Sequence, residues 1–296
     1  MKRLLISGLF SLMTLGLFGQ AGHIMLGIGA VNMSMGGAAT GQPLDINGAL
    51  HWNPAGISVF DGTIISANAG LFFSSPELSS TAPTPQGPFS GLTEDDRGTS
   101  VMPALAAVFG KADSKHTFGA SAFGISGFGV TFPENAMNPI NAPQSMGGFG
   151  HIESDYLVLQ VGLAYAYEIN DNLSIGIQPT FNYAALELAP NPLSSPNPNL
   201  GYPVSDQATA TGFGGQIGLF YQSDGGFKAG VSYKTAQSFS KFDFENTYLD
   251  GSEAPNVEFQ MDYPAIYSVG LGYSMDLLDI AVDYRFVDYA NTEGFE

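Results

Sequence analysis

The chain has 296 residues with 38 Gly, 22 Phe, 13 Tyr and no Cys, and its formal net charge is −18. This acidic balance excludes nucleic-acid binding through phosphate neutralisation, and the lack of cysteine excludes disulfides, thiol nucleophiles and thiolate metal sites. Charged residues make up only 12% of the chain, against about 25% in soluble domains, so the composition argues against an ordinary soluble surface.

The first residues have the pattern of a secretory signal peptide. Lys2 and Arg3 form a basic start, Leu4 to Phe18 is apolar, and Gly19-Gln20-Ala21 offers small residues for cleavage. The apolar run is shorter than the ~20 residues of a spanning helix, and no later segment has 18 uninterrupted apolar residues. We therefore expect residues 1–21 to be removed on export and predict no helical membrane span.

Residues 22–61 differ from the rest of the chain in composition and do not alternate as the later segments do. They contain the small-residue stretch Met35 to Gly41, which includes Gly36 and Gly37, then Asp45 and the motif Asn53-Pro54-Ala55. Asn before Pro favours a turn and keeps the preceding residue extended. This segment is predicted to form short helical turns that pack tightly.

From residue 62 onward the chain is predicted to form about nine strands. Five of them alternate regularly between an apolar face that ends in Tyr or Phe and a face of Gly, Ala, Ser, Gln and Asn. The predicted strands are Thr63–Ser74, Val101–Gly110, Thr117–Gly127, Tyr156–Tyr167, Asn172–Tyr183, Gly212–Gln222, Phe227–Tyr233, Tyr267–Ser274 and Leu278–Phe286. Because a soluble sandwich carries charges on its outer face, the pattern favours an all-β transmembrane antiparallel barrel with aromatic girdles. A secreted soluble β-protein is the alternative.

The connections between these strands alternate in length. Short links lie at 111–116, 169–172, 223–226 and 275–277, and long Pro/Gly/Ser/Asn-rich segments lie at 75–100, 128–154, 189–210 and 245–256. Outer-membrane barrels have short periplasmic turns and long outer loops. The alternation therefore places residues 22–61 on the periplasmic side.

At the leading segment the chain resembles the outer-membrane long-chain fatty-acid and hydrophobic-compound transporter family of the FadL/TodX type. The resemblance rests on Met35 to Gly41, on the region of Asp45, and on Asn53-Pro54-Ala55 followed by Phe60-Asp61 and the first strand. It continues more weakly over nearly the whole chain. The resemblance implies a fourteen-stranded barrel with residues 22–61 as a hatch in its lumen, and lateral ligand exit through a kinked third strand.

The third predicted strand agrees with that implication, because its alternation fails around Gly124, Gly127, Phe128 and Gly129. Glycine inside a strand marks a bend or bulge, so these residues are the predicted lateral opening. The alternative is a loose strand end. By the resemblance alone, Gly22 and His23 approach an internal ligand pocket, with which Phe123 is grouped.

A fatty-acid carboxylate inside the barrel needs a cationic or hydrogen-bonding partner. Lys228, Lys234 and Arg285 are the candidates, and lumen hydrogen bonding is their alternative role. Asp45, His51 and Asn53 lie close in sequence, but no nucleophile accompanies them, so they are interpreted as a polar network that holds the plug. The other histidines, His23, His116 and His151, have no metal-ligand spacing. We predict no cofactor, no metal and no enzymatic step.

The predicted function is uptake of hydrophobic compounds, such as long-chain fatty acids or hydrocarbons, by diffusion through a plugged barrel in the outer membrane. The expected partners are these small molecules and outer-membrane lipid, with no nucleic acid, and the protein is expected to be a monomer. The alternative is a non-transporting scaffold on the same barrel. Because bacterial single-chain barrels have even strand numbers, nine strands predict a chain truncated at its C-terminus. The resemblance to a fourteen-stranded barrel implies that about five strands are missing.

Overall fold

The computed structural model describes residues 22–295. The predicted signal peptide, residues 1–21, lies outside these residues. Among residues 22–295, no helix is long and apolar enough to cross a membrane.

The N-terminal segment folds into three short helices whose ends are set by two polar side chains. They are α1 (Gly29–Ser34), α2 (Ile46–Trp52) and a 3-10 helix (Pro54–Val59). Asp45 caps α2 by accepting a hydrogen bond from the Gly48 N–H at 3.1 Å. Asn53 ends α2 and caps the 3-10 helix by accepting from the Ala55 N–H at 3.1 Å. Polar oxygens of this kind satisfy N–H groups that a helix leaves unpaired at its start. We call residues 22–61 the hatch.

Nine strands form the wall, and every neighbouring pair is antiparallel. In the order in which they pair, the wall strands are β1 (Thr63–Phe73), β4 (Thr99–Phe109), β5 (His116–Phe132), β6 (Ile152–Asn170), β7 (Leu173–Ala189), β9 (Ala208–Gln222), β10 (Phe227–Lys234), β14 (Ala265–Met275) and β15 (Leu278–Asp288). All nine predicted strands are confirmed, and most are longer than predicted. β1 and β15 form the two edges of the sheet.

Three of the long connections contain strands that the sequence did not predict. These are β2 (Glu77–Thr84), β3 (Gly87–Glu94), β8 (Val204–Ser205), β11 (Ser238–Phe239), β12 (Phe242–Thr247) and β13 (Glu253–Phe259). β2 and β3 form a hairpin, β13-β12-β8 form a small sheet, and β11 pairs with β9. The predicted loops therefore contain regular structure. Pairing between these short strands gives hydrogen-bond partners to backbone N–H and C=O groups.

The wall curls around the hatch, because the hatch makes hydrogen bonds to both edge strands. Asn47 Nδ2 donates to Ser66 Oγ on β1 at 2.9 Å. The N–H groups of Ala39 and Thr40 each donate to Asp283 Oδ2 on β15 at 2.9 Å. So small a segment reaches both edges of a nine-stranded sheet only when the sheet wraps around it.

The two faces of the wall divide as the alternation predicted. On β6, Leu159, Val161 and Leu163 are exposed on the outside, whereas Gln160 and Ala164 are buried on the inside. A wall with its apolar residues outward and its small and polar residues inward is typical of an outer-membrane barrel.

Candidate functional site

Glycines on the inner face of the wall allow the hatch backbone to touch the wall backbone. A Cβ atom at Gly230 would overlap the Thr40 carbonyl oxygen, one at Gly218 would overlap Asn53 Oδ1, and one at Gly176 would overlap the Ala55 N–H. These positions lie on β10, β9 and β7. The small residues of the inner face are therefore the docking surface of the hatch.

Asn53 fastens the hatch to the wall. Its amide Nδ2 donates to the carbonyl oxygens of Thr40, at 2.9 Å, and Leu219 on β9, at 3.0 Å. Asn53 is fully buried, as are Pro54 and Ala55. All the hydrogen bonds of this side chain are internal to the hatch or join it to the wall, which is the geometry of a structural lock.

The predicted pair Gly36 and Gly37 forms a tight turn after α1. Both residues have positive φ, +64° and +79°, a region that favours glycine. A Cβ atom at Gly37 would overlap the Leu26 carbonyl oxygen. The Gly37 carbonyl oxygen accepts a hydrogen bond from Arg285 Nη2 at 2.7 Å, so this turn also contacts β15.

Charged residues on β15 hold the opposite side of the hatch. Arg285 Nη2 pairs with Asp283 Oδ2 at 2.6 Å, and Asp283 accepts the two hatch N–H groups described above. The Arg285 guanidinium lies over the Trp52 ring, with Cζ 3.6 Å from the ring centroid. Arg285 is thus engaged with the hatch through an ion pair, a hydrogen bond and a cation–π contact.

The wall has a gap between β4 and β5. Their ladder runs from Phe109 opposite Phe118 to Ala104 opposite Phe123 and stops there. Beyond it β5 has a bulge between Gly124 and Ser126, where its register against β6 shifts. On β4 the next residue is Pro103, which has no N–H group to donate to a ladder.

The first residues of the hatch run along the gap. Met25 N–H donates to the Ile125 carbonyl oxygen at 3.1 Å, and Gly127 N–H donates to the His23 carbonyl oxygen at 3.2 Å. Ser126 Oγ donates to the same His23 oxygen at 2.9 Å. The N-terminal segment therefore takes the place of the missing β4 partner at the bulge.

The gap ends on its outer side, where the two strands are linked again. The N–H of Asp96 donates to the Thr131 carbonyl oxygen at 2.8 Å, and Arg97, just before β4, forms an ion pair with Asp155 on β6. The gap is thus a bounded window.

The predicted kink residues lie at and beyond this bulge. Gly124 borders it, whereas Gly127, Phe128 and Gly129 lie beyond it in regular register with β6. The bulge itself is at Ile125, which the sequence analysis did not single out. The alternative of a loose strand end is wrong, because β5 stays paired with β6 as far as Phe132.

Two cavities meet at the window. Cavity 1, of about 310 Å³, lies between the hatch and the inner face of β1 and β4, and it is largely apolar. Cavity 2, of about 350 Å³, lies at the window between β4, β5 and β6. Met102 and Phe72 line both cavities. A Cβ atom built at Gly124 would lie 3.4 Å from Met102 Sδ, so the Met102 side chain lies across the window.

The residues predicted from the sequence to hold a ligand do not line these two cavities. Lys228 donates to Ser274 Oγ at 3.0 Å, at the turn end of β10 and β14. Lys234 is 2% exposed and donates to Gln160 Oε1 at 3.3 Å. The structure brings Lys234 and Arg285 to the same ring, that of Trp52, whereas Lys228 contacts Ser274.

Gly22, His23 and Phe123 are buried to different degrees near the window. Phe123 is 1% exposed and contacts the His51 ring at a centroid distance of 6.2 Å. His23 is 9% exposed, and Gly22 is exposed beside Tyr289.

Met102 and Phe72 were not predicted from the sequence, although Pro103 inside a predicted strand was a signal of an interrupted ladder.

Both hatch histidines are neutral near pH 7. Burial lowers the pKa of His23 to about 4. Burial, followed by the charges of Lys234 and Arg285, holds the pKa of His51 well below its ordinary value. Neither imidazole therefore supplies a positive charge to the interior at neutral pH.

Known proteins include a family and several structures that are similar to this chain. The family described as outer membrane protein transport protein (OMPP1/FadL/TodX) matches residues 20–291. No curated protein sequence matches the chain.

Several solved structures share the fold. The toluene transporter TodX of P. putida is 20% identical with a TM-score of 0.63, and the match covers 88% of this chain and 70% of TodX. The toluene transporter TbuX of Ralstonia pickettii is 20% identical with a TM-score of 0.66, covering 89% and 72%. A FadL homologue of Pseudomonas aeruginosa is 13% identical with a TM-score of 0.67, covering 91% and 70%. A family match over most of the chain, together with a curled wall around an N-terminal hatch, identifies the chain as a member of the OMPP1/FadL/TodX family of outer-membrane transport proteins.

Proposed function

We propose that this outer-membrane protein takes up small hydrophobic molecules and releases them sideways through the window between β4 and β5. The observation that carries the proposal is that two cavities meet at this window and share Met102 and Phe72. The hatch backbone packs against the glycines of the wall on the inner side. A ligand in cavity 1 would pass to cavity 2, which lies at the window, and leave the protein there.

The driving force is the transfer of apolar surface out of water, about 25 cal/mol per Å² buried. Cavity 1 is lined by Met25, Ile28, Met33, Leu71 and Met102, among others. Methionine side chains are flexible and fill irregular spaces, so they adapt to ligands of different shape. No chemical step is needed for such passage.

The ligand class follows from the size and charge of the cavities. Volumes of about 310 and 350 Å³ lie at the lower end of the ~300–1,000 Å³ of small-molecule sites. Arg97, which lines cavity 2, is paired with Asp155. Both facts favour a small uncharged molecule over a long-chain fatty acid. Two structurally similar proteins are named toluene transporters, which supports monoaromatic hydrocarbons as the first ligands to test.

A reversible crosslink across the window tests the proposal. The chain has no cysteine, and a Cβ atom at Gly124 would lie 3.7 Å from Met102 Cα, a spacing compatible with a disulfide. In cells that express the Met102→Cys/Gly124→Cys variant, uptake of radiolabelled toluene should be lost under oxidising conditions and should return when a reductant is added.

The two single-cysteine variants are the controls, and their uptake should not respond to the reductant. A second comparison uses radiolabelled palmitate, whose uptake should be slower than that of toluene. If the crosslinked protein takes up toluene as fast as the reduced one, lateral release through this window is wrong. If the uncrosslinked protein takes up neither compound, a non-transporting scaffold is the better description.

A further inference from the structure

Five aromatic rings surround the imidazole of His23. Their centroids lie between 5.2 and 6.3 Å from that of His23, and four of the five meet it edge-on while the fifth stacks on it. They belong to Phe128, Tyr156, Tyr263, Tyr289 and Phe295. Phe295 is the stacked ring, with an interplanar angle of 3°. We call these five residues the aromatic cage. The imidazole occupies it as a flat aromatic guest.

The cage contains buried polar atoms that its present occupant does not satisfy. Tyr156 and Tyr263 are both fully buried, and within residues 22–295 their hydroxyl groups have no hydrogen-bond partner. His23 Nε2 is also buried without a partner. A buried hydroxyl without a partner is unfavourable. The two hydroxyls therefore have unused hydrogen-bonding capacity.

The charged groups near the cage are already engaged. Asp262 Oδ1 accepts hydrogen bonds from the Phe239 N–H at 2.9 Å and from Gln260 Nε2 at 3.3 Å. Arg285 is paired with Asp283 and with the Gly37 carbonyl oxygen. The cage rings themselves carry no charge at neutral pH. A charged guest would therefore lack a partner there, and an uncharged one is favoured.

The cage opens toward the window. Phe128 and Tyr156 line cavity 2, and Phe128 is 41% exposed. The His23 backbone is held at the β5 bulge by the bonds from Gly127 and Ser126, whereas its imidazole is held by the ring contacts and by a long contact of 3.4 Å from Nδ1 to the Tyr289 hydroxyl. A guest that replaced the imidazole would therefore leave the backbone bonds at the bulge in place.

We infer that the aromatic cage binds an uncharged aromatic molecule carrying one hydroxyl group, whose ring replaces the His23 imidazole and whose hydroxyl hydrogen-bonds with Tyr156 and Tyr263. This inference rests on the proposed function, and it narrows the ligand class from hydrocarbons to hydroxylated arenes. Cavity 2 is the approach to the cage.

Two probes of nearly equal shape, toluene and p-cresol, test the inference. Their dissociation constants are measured by calorimetry on the detergent-solubilised protein and on the Tyr156→Phe/Tyr263→Phe variant. Removing both hydroxyls should lower the affinity for p-cresol, relative to the affinity for toluene, by about tenfold. This factor corresponds to roughly one good hydrogen bond. Toluene affinity should not change. Because no residue of the described part of the chain bonds the two hydroxyls, the variant should fold normally.

Tyr273→Phe is the matched control, since Tyr273 is 41% exposed on the outer face of β14. This variant should leave both affinities unchanged. His23→Gly should raise the affinity for toluene and for p-cresol by the same factor, because it removes the imidazole from the cage and leaves Tyr156 and Tyr263 in place.

The outcomes separate the two proposals. If toluene binds and is taken up but the p-cresol to toluene ratio is the same in wild type and in the double variant, the hydroxyl selection is wrong and the proposed function stands. If His23→Gly weakens both ligands, the imidazole is a ligand contact and not a placeholder. If neither probe binds the wild-type protein and neither is taken up, both proposals fail.

Discussion

Gly230→Ala is predicted to loosen the hatch without unfolding the wall. A Cβ atom at Gly230 would overlap the Thr40 carbonyl oxygen and would lie 2.8 Å from Asn53 Nδ2. The new methyl group therefore pushes apart the 2.9 Å hydrogen bond from Asn53 Nδ2 to Thr40. The perturbation is a single carbon atom placed at the closest approach of hatch and wall.

Two terms set the size of the effect. A buried polar group left without its partner costs about 1–3 kcal/mol, and overpacking a closely packed contact costs about 1–3 kcal/mol. Together these two terms should weaken hatch docking by about 2–6 kcal/mol.

The assay uses the only tryptophan of the chain as a reporter. Trp52 ends α2, is 2% exposed and lies under Arg285. In a urea titration, its fluorescence should shift at a lower urea concentration in Gly230→Ala than in wild type. Circular dichroism of the sheet should follow the wild-type curve over that range, since the wall ladders are not altered.

Gly70→Ala on β1 is the matched control, because a Cβ atom there meets nothing closer than Met102 Cβ at 3.6 Å. Its Trp52 transition should coincide with that of wild type or lie slightly above it. Equal midpoints for Gly230→Ala and Gly70→Ala would refute the argument that backbone contact at Gly230 docks the hatch.

Three further predictions concern the lock, the gap and the window. Asn53→Ala removes hydrogen bonds to Thr40, Leu219 and Ala55 and should weaken hatch docking by about 2–4 kcal/mol; an unchanged Trp52 midpoint would contradict this. Burial holds the pKa of His23 at about 4, so the undocked segment binds a proton that the docked one does not. Docking at the bulge should therefore be strongest above about pH 6.5 and weaken as pH falls toward 4. Hydrogen exchange at the Met25 amide should show this in wild type and not in His23→Phe; equal pH dependence in both would exclude His23 as the cause. Met102→Ala should speed toluene uptake and Met102→Trp should slow it, because this side chain lies across the window; uptake that does not depend on the size of residue 102 would argue for another route.

Much of the wall could be predicted from the sequence because successive side chains of a strand point to opposite faces. Leu159, Val161 and Leu163 are exposed while Gln160 and Ala164 are buried, and the same alternation is present in the sequence. The short helical turns of the hatch were also predicted, although the capping roles of Asp45 and Asn53 were found only in the structure. The strands within the long connections were missed, because short hairpins among Pro and Gly residues lack a strong alternation.

The candidate site could be predicted only in part. The glycines of β5 predicted an irregular strand, but the bulge is at Ile125 and the ladder to β4 stops at Pro103. The cationic residues Lys228, Lys234 and Arg285 were chosen for a ligand carboxylate, yet the atoms they contact are wall and hatch groups. Which side chains face one another across the barrel depends on how the sheet curls. The alternation within one strand does not determine that curl.

By itself, the sequence determined an acidic, charge-poor chain of alternating strands that follows a small-residue segment of short helical turns, because these features depend on neighbours one to four residues apart. The tertiary structure alone decided which glycines of the wall meet the hatch, where the wall opens, and that residues from four separate parts of the chain enclose His23. The physical reason is that these contacts join residues up to 272 positions apart, such as His23 and Phe295, and form only when the sheet curls around the hatch.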